Sequence, residues 1–466
     1  MQRVRGLLAI AAVVAVAIVI AAFAYRFRSA DDTGLVGLKV ADGGIADFFN
    51  TSVSDAQLVA IALQELDRQY YKPVDPQAPL SGERQALLAY LHSRHISAAL
   101  PVETATGVTQ IDASRLDDEL AYAQSHYGAQ LHSGGDEALL EQALGGIMDS
   151  VNDPYTVYLS PREIQLLDET LQGGDFGGIG VYIYPMRNRD VFVAPIDGMP
   201  AARAGMKTFE VLDSVNGLRV HGLSLDRVQD LIRGPAGSTV TIVAHELAAP
   251  KHHYTYRIVR EIIHVPTVHA KMESGYDYIR LSEFGDTSAS EMHAALLDGR
   301  ARGAKGYILD LRDNGGGLVD TAVAIVSYFI PSGRTVVAEV DRNGDREVQV
   351  ADGSMIQGLH PLVILVNKYT ASASEITAGA LQDYGLATLI GTQTFGKGVV
   401  QSIYTMPGGA GALKITTASY VTPKGRNIEH RGITPDVAVD QSLDPRLIDT
   451  PADKQLQAAK AWLRNH

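Results

Sequence analysis

The sequence predicts an α/β core of mixed sheet and helices, joined to a β-rich module and preceded by a helical N-terminal region. Three observations carry that expectation. From Tyr276 onward strand-like and helix-like stretches alternate, as they do in α/β sheet domains. From Gly173 to about His264 the chain reads as short strands and turns with one helix candidate, 225–233. Between Asp55 and Val151 apolar residues recur at helical spacing, with Val59, Leu63 and Leu66 on one face of the first stretch.

The N-terminal helices are expected over 55–70, 85–94, 115–127 and 136–151, punctuated by Pro73, Pro76, Pro79 and Gly/Ser steps. In the α/β part the order is strand 278–284, helix 288–302, strand 306–311, helix 318–329, strand 362–366, helix 373–384 and strand 387–390. The implied partition is 1–30 as an anchor or signal segment, 45–165 helical, 170–264 β-rich, 265–440 catalytic core and 441–466 as a C-terminal helical segment.

A chain of 466 residues with 46% hydrophobic and 20% charged residues is a folded protein of two or three domains. Its formal charge of −13 and the lack of a Lys/Arg cluster argue against nucleic acid as a partner. Cysteine is absent, which excludes disulfides, a thiolate nucleophile and cysteine-ligated zinc. No metal or other cofactor is expected.

Residues 6–25 carry no charge and are long enough to cross a ~30 Å hydrocarbon layer, with Arg3 and Arg5 before the run and Arg26 and Arg28 after it. A single-pass membrane anchor is expected, with the bulk of the chain extracytoplasmic. The competing reading is a signal peptide cut near Ala22-Phe23-Ala24, which leaves a secreted protein.

Ser372 opens a helix and forms the start of a Ser-x-x-Glu capping box with Glu375. A serine there sits where the Ala373 N–H and the positive end of the helix dipole can hold an oxyanion. Lys397, in the stretch Phe395-Gly396-Lys397-Gly398, can act as base without histidine if burial among apolar neighbours removes its proton. If a strand follows, Lys397 and Gln401 share a face and Gln401 can orient the amine, although four strand residues span about 13 Å and the contact then needs a bulge at Gly398 or long side chains.

The strand at 308–311 ends in a glycine loop whose Gly316 or Gly317 can give a second N–H to the oxyanion. Asp383 lies about 16 Å along the helix from Ser372 and is expected to be structural. Gly391 to Lys397 matches Gly-x-x-x-x-Gly-Lys of a phosphate loop, but Gly398 replaces the Ser/Thr and a strand replaces the helix. The histidines, including His252 and His253 in an expected hairpin, are read as surface or structural. In the β-rich module, Gly178-Ile179-Gly180-Val181 leads into a strand, either as a tight turn or as backbone N–H groups facing a peptide carboxylate.

Taken together, these segments resemble the C-terminal processing (tail-specific) serine peptidases. The resemblance runs from about Glu137 to the end and includes Asn152–Pro161, Phe176–Val181, Ile308–Gly317, Thr370–Asp383, Thr394–Gln401, Thr422–Arg426 and Gly432–Asp436. It implies a PDZ domain ahead of a crotonase-like α/β core, with Ser372 as nucleophile, Lys397 as base and Gln401 as its partner. It also implies cleavage near the C-termini of protein substrates with free apolar tails, outside the cytoplasm, and a homodimer. The alternative is an envelope scaffold that binds tails through its PDZ domain and has lost activity. Thr208-Phe209-Glu210 stands where the family usually has Pro-Gly-Asp, and 73–135 is longer than expected of the family.

Overall fold

The computed structural model describes residues 53–131, 134–164, 167, 176–186, 189–196, 198–247, 249–441 and 447–466. The expected anchor or signal segment lies outside them. Among the described residues no helix is long and apolar enough to cross a membrane. The described residues divide into two compact units, one within 176–267 and the other within 53–167, 268–284 and 289–466.

In the larger unit the first helix, Asp55–Gln69, starts where Ser54 accepts from the Gln57 N–H and Gln57 caps back onto the Ser54 N–H. Helices Gln77–Ser93, Thr109–Tyr127 and Gly135–Asp149 follow. Their apolar faces form one core, with Leu66, Leu87, Leu116 and Leu144 fully buried. Tyr404, Leu413 and Ile415 from two strands of the catalytic part complete that core, so the helical layer is packed onto the sheet that carries the site.

That sheet has Ala412–Val421 near its centre, paired antiparallel with Val157–Leu159, Thr335–Val340 and Val399–Thr405, and with Arg346–Val350 at the edge. A second, six-stranded sheet runs Val268–Glu273, Tyr276–Leu281, Tyr307–Asp310, Leu362–Val366, Ala387–Gly391, Val437–Ala438, parallel after the first pair. All five residues of Leu362–Val366 are buried, as expected of a central parallel strand covered on both faces. Helices Ser288–Ala301, Val319–Ser327 and Ala373–Asp383 supply the intervening layer. The C-terminal helix Lys454–Arg464 buries Leu456, Ala459 and Leu463 against Ile308, Val363 and Leu365.

The smaller unit is a sheet ordered Val181–Pro185, Val191–Pro195, Glu210–Val215, Thr239–Glu246, Ala249–Val259, with Leu218–Arg219 paired to the third strand. Helix Leu225–Ile232, capped by Ser224, buries Val228 and Ile232 in its core and lies beside Val181–Pro185. Phe209, where the resembled family has glycine, takes φ +72° and sets its ring 5.5 Å from that of Phe192.

Candidate active site

Ser372 precedes helix Ala373–Asp383 with φ +56° and ψ −120°, a conformation that costs a non-glycine residue of order 1–3 kcal/mol and persists only where surrounding contacts over-determine it. Those contacts are numerous. The Ser372 N–H donates to Glu375 Oε2 at 3.0 Å, and the Glu375 and Ile376 N–H groups donate to the Ser372 carbonyl at 2.7 and 2.9 Å. Ala371 N–H and the Ser374 hydroxyl both donate to the Asn314 carbonyl, at 3.1 and 3.0 Å.

The same Glu375 carboxylate holds the lysine segment. Lys397 N–H donates to Oε2 at 2.9 Å, while the Gly396 N–H and the Thr394 hydroxyl donate to Oε1 at 2.8 and 2.5 Å. On the other side, the Tyr420 hydroxyl lies 2.6 Å from the Lys397 carbonyl and 3.2 Å from that of Ser372. One carboxylate and one phenol thus bridge the backbones of residues 372 and 397, both buried. Burial pushes Glu375 up to about 7 against the pull of its four donors, which favour the charged form.

Lys397 is 2% exposed, and its amine lies 4.7 Å from the centre of the Tyr155 ring. Burial lowers its pKa well below the ordinary lysine value; the charge of Lys414 adds to this, and the charges of Glu429, Asp153 and Glu375 oppose it. Lys414 is itself buried, which pushes it down to about 8. A lysine amine whose pKa is lowered in this way is competent as a general base.

Gln401 is buried in strand Val399–Thr405, with Nε2 3.5 Å from Thr416 Oγ1 and no donor to its Oε1 among the described residues. Thr416 in turn meets Thr156, whose hydroxyl also donates to Asp153 at 2.9 Å. The bulge expected at Gly398 lies farther on. The register slips between Val400 and Gln401 because Ala412–Val421 carries the extra residue, Thr417, there.

The glycine loop reaches Ser372. A side-chain carbon at Gly316, which has φ +105°, would lie 2.9 Å from both Ala373 N and Ser372 Cβ. The Gly316 N–H, however, donates to Asn314 Oδ1 at 2.8 Å, which removes it as an oxyanion donor. Among the described residues the N–H groups of Gly317 and Ala373 are committed to no acceptor. Asn314 Nδ2 donates to the Leu281 carbonyl at 2.9 Å, so this one side chain fixes the loop between strand and helix. Asp383 accepts from the Lys424 N–H at 2.8 Å and pairs with Arg426, a structural tie. Strand Val399–Thr405 follows Lys397 where a phosphate loop needs a helix.

In the smaller unit Gly178 ends strand Phe176–Gly178, Ile179 is buried and Val181 begins the edge strand. Gly180, with φ +70°, turns the chain where a Cβ would strike Met199 at 2.2 Å. The carbonyls of Ile179 and Gly180 accept from Ala201 and Ile196, while their N–H groups have no backbone acceptor among the described residues. The outer edge of Val181–Pro185 likewise has no strand partner among the described residues.

Glu375 reads in sequence only as a helix cap, and Tyr420, Lys414 and Tyr155 carry no local signal of a site. Asn314 could have been found from its place in the Asp-Asn-Gly turn before the glycines.

Residues 275–439 match peptidase family S41, and residues 191–244 match the PDZ domain. The chain is 38% identical over 312 residues to a carboxy-terminal-processing protease of Bartonella bacilliformis, covering 66% of this chain and 71% of that protein. It is 37% identical over 327 residues to a carboxyl-terminal-processing protease of Synechocystis, covering 68% and 75%. Among solved structures, the photosystem II D1 C-terminal processing protease aligns at 27% identity and a TM-score of 0.47, over 87% of this chain and 100% of that one. The family match and the two curated relatives favour an enzyme over a tail-binding scaffold. With identity and coverage of this extent, the chain belongs to the carboxy-terminal-processing serine proteases of peptidase family S41, with a PDZ domain.

Proposed function

We propose that Ser372 is the nucleophile and Lys397 its general base, in an enzyme that cleaves protein substrates near their C-termini. Neutral Lys397 takes the hydroxyl proton as Ser372 Oγ bonds to the scissile carbonyl carbon. The N–H groups of Ala373 and Gly317 receive the oxyanion, at the positive end of a helix. Collapse breaks the C–N bond, and the Lys397 ammonium returns its proton to the leaving amine. Water then attacks the acyl carbon as Lys397 takes its proton; the ester C–O bond breaks, Lys397 returns the proton to Ser372 Oγ, and Gln401 orients the amine through its buried amide oxygen.

The observation that carries this reading is the double bridge: Glu375 and Tyr420 hold together the backbones of a strained serine and a buried lysine whose pKa is lowered.

In the same reading the PDZ unit takes a substrate's apolar tail as an added strand along Val181–Pro185, beside helix Leu225–Ile232, and the Ile179 and Gly180 N–H groups bind its carboxylate. The apolar run at 6–25 supports a membrane-held or secreted protein whose bulk is extracytoplasmic, and the family resemblance supports a homodimer.

Ser372→Ala is expected to abolish degradation of a protein with an apolar C-terminal tail and to prevent labelling by a serine-reactive probe, with tail binding unchanged. Cleavage or labelling that persists in this variant refutes the assignment.

A further inference from the structure

Three side chains on adjacent strands of the PDZ unit converge outside the tail-binding edge. Asp213 Oδ1 lies 2.9 Å from His245 Nδ1 and Asp213 Oδ2 lies 2.7 Å from His253 Nδ1. Ligand-capable atoms of the three residues all lie within 4.8 Å of one another. His245 and His253 are directly opposed in the antiparallel pair Thr239–Glu246 and Ala249–Val259, and their rings meet edge to face at 5.6 Å.

Asp213 joins them through an irregularity. The register of Glu210–Val215 against Thr239–Glu246 slips between Leu212 and Ser214, so Asp213 is the extra residue of a bulge, a device that re-aims a side chain. Leu212, Val240, Ile242 and Ala244 point into the core, which puts the Asp213, His245 and His253 side chains on the opposite face of the sheet. Helix Leu225–Ile232 packs on the core side, so this cluster is clear of the edge where a tail would add.

We propose that Asp213, His245 and His253 form a site for a divalent metal ion of the zinc class on the outer face of the PDZ sheet. Two imidazoles and one carboxylate are the donor set that such ions select, whereas calcium and magnesium demand oxygen ligands. Tetrahedral ligands at about 2.0 Å from zinc stand ~3.3 Å apart. Asp213 Oδ1 and His245 Nδ1, at 2.9 Å, therefore open by a few tenths of an ångström, and His253 Nδ1, which now meets the other carboxylate oxygen, turns to join them. His253, with half its side chain exposed, is free to make most of that adjustment, while His245 and Asp213 are 17% and 29% exposed and better held.

On binding, the proton that each ring now donates from Nδ1 to Asp213 is carried on Nε2 instead, and a three-strand cross-link at the bulge replaces two hydrogen bonds. Three protein ligands leave a position for water or for a group from elsewhere. The proposal is independent of the peptidase chemistry.

The full-length protein, stripped with chelator, is titrated with Co2+ and then with Zn2+ in competition. One equivalent of Co2+ is expected to give d–d absorption that Zn2+ abolishes, in wild type and in Ser372→Ala alike. His253→Ala and Asp213→Asn are each expected to weaken binding about tenfold or more, since removing even a supporting group of a metal site costs that much. Zn2+ is expected to raise the melting temperature of wild type and not of His253→Ala, a substitution at a half-exposed position that leaves the fold intact. Absence of stoichiometric binding, or binding that survives in the His245→Ala/His253→Ala double variant, overturns the proposal.

Discussion

Arg312 and Lys397 are both cations with almost no exposed surface, and burial acts on them in opposite ways. Arg312 donates to both oxygens of Asp310 at 2.6 to 2.9 Å and to both of Asp453 at 2.8 Å, with Gln455 at 3.2 Å. The paired carboxylates outweigh desolvation and hold its charge permanently, while Asp310 and Asp453 are held below the usual carboxylate range. Around Lys397 desolvation wins, reinforced by Lys414, and outweighs the opposing charges of Glu429, Asp153 and Glu375. A buried basic group ringed by carboxylates is a fastener, and one whose desolvation outweighs the charges around it is suited to be a base.

The sharpest way to break this contrast is to make Lys397 unable to lose its proton. Lys397→Arg keeps a long cationic side chain that never deprotonates, so peptidase activity is expected to fall by about 10²–10⁴-fold, the usual worth of a general base. Rates of peptide hydrolysis on folded variant protein measure it; near-native activity removes Lys397 from the mechanism. The converse change at the other cation is Arg312→Met. It leaves Asp310 and Asp453 buried without their partner, and breaking such a group costs about 3–5 kcal/mol. Denaturant unfolding reads the loss, and activity should disappear only as the fold does, since Arg312 ties the C-terminal helix to the strand that enters the glycine loop.

The same contrast explains what the sequence reveals. The candidate pair is legible because Ser372 and Lys397 sit in short local patterns, and the helix and strand order of the core follows from periodicity within a few residues. Helix Gln77–Ser93 begins eight residues before the expected start because Pro79 and Gly82 read as breakers. Proline is tolerated in a first turn, and Gly82 is there for close helix contact, since a Cβ would fall 2.2 Å from the Gly146 carbonyl oxygen. Strands Thr335–Val340 and Arg346–Val350 escape a reading that follows only the strand-helix alternation. The groups that tune the site are hidden for a different reason. Tyr420 reaches Ser372 across 48 positions, and Arg312 reaches Asp453 across 141, so nothing near either residue signals the contact. The helical layer shares a core with the catalytic sheet, which periodicity alone could not show.

A smaller effect is expected at Glu375. Glu375→Gln replaces an acceptor of four donors with an amide whose NH₂ must face donors, a cost of about 1–3 kcal/mol for groups left unsatisfied. Thermal unfolding should register that loss, and kcat/KM should fall about 10- to 100-fold as the 372 and 397 segments loosen. The fold should survive. If stability drops and kcat/KM does not, the bridge is a helix cap and nothing more.

The smallest and most specific effect is expected at Lys414. Its positive charge disfavours the charged form of Lys397, so Lys414→Met lets Lys397 keep its proton to higher pH. Catalysis requires neutral Lys397; the acidic limb of kcat/KM should therefore move toward higher pH, with the rate on the alkaline plateau retained. Glu375, pushed up to about 7, also favours activity when charged, so loss of a proton from either group makes the rate rise with pH. Measuring Lys414→Met in the Glu375→Gln background removes that second titration and leaves the limb to report Lys397. A limb that stays in place there means that burial alone strips the proton from Lys397, and that the second buried lysine serves only the packing of its strand.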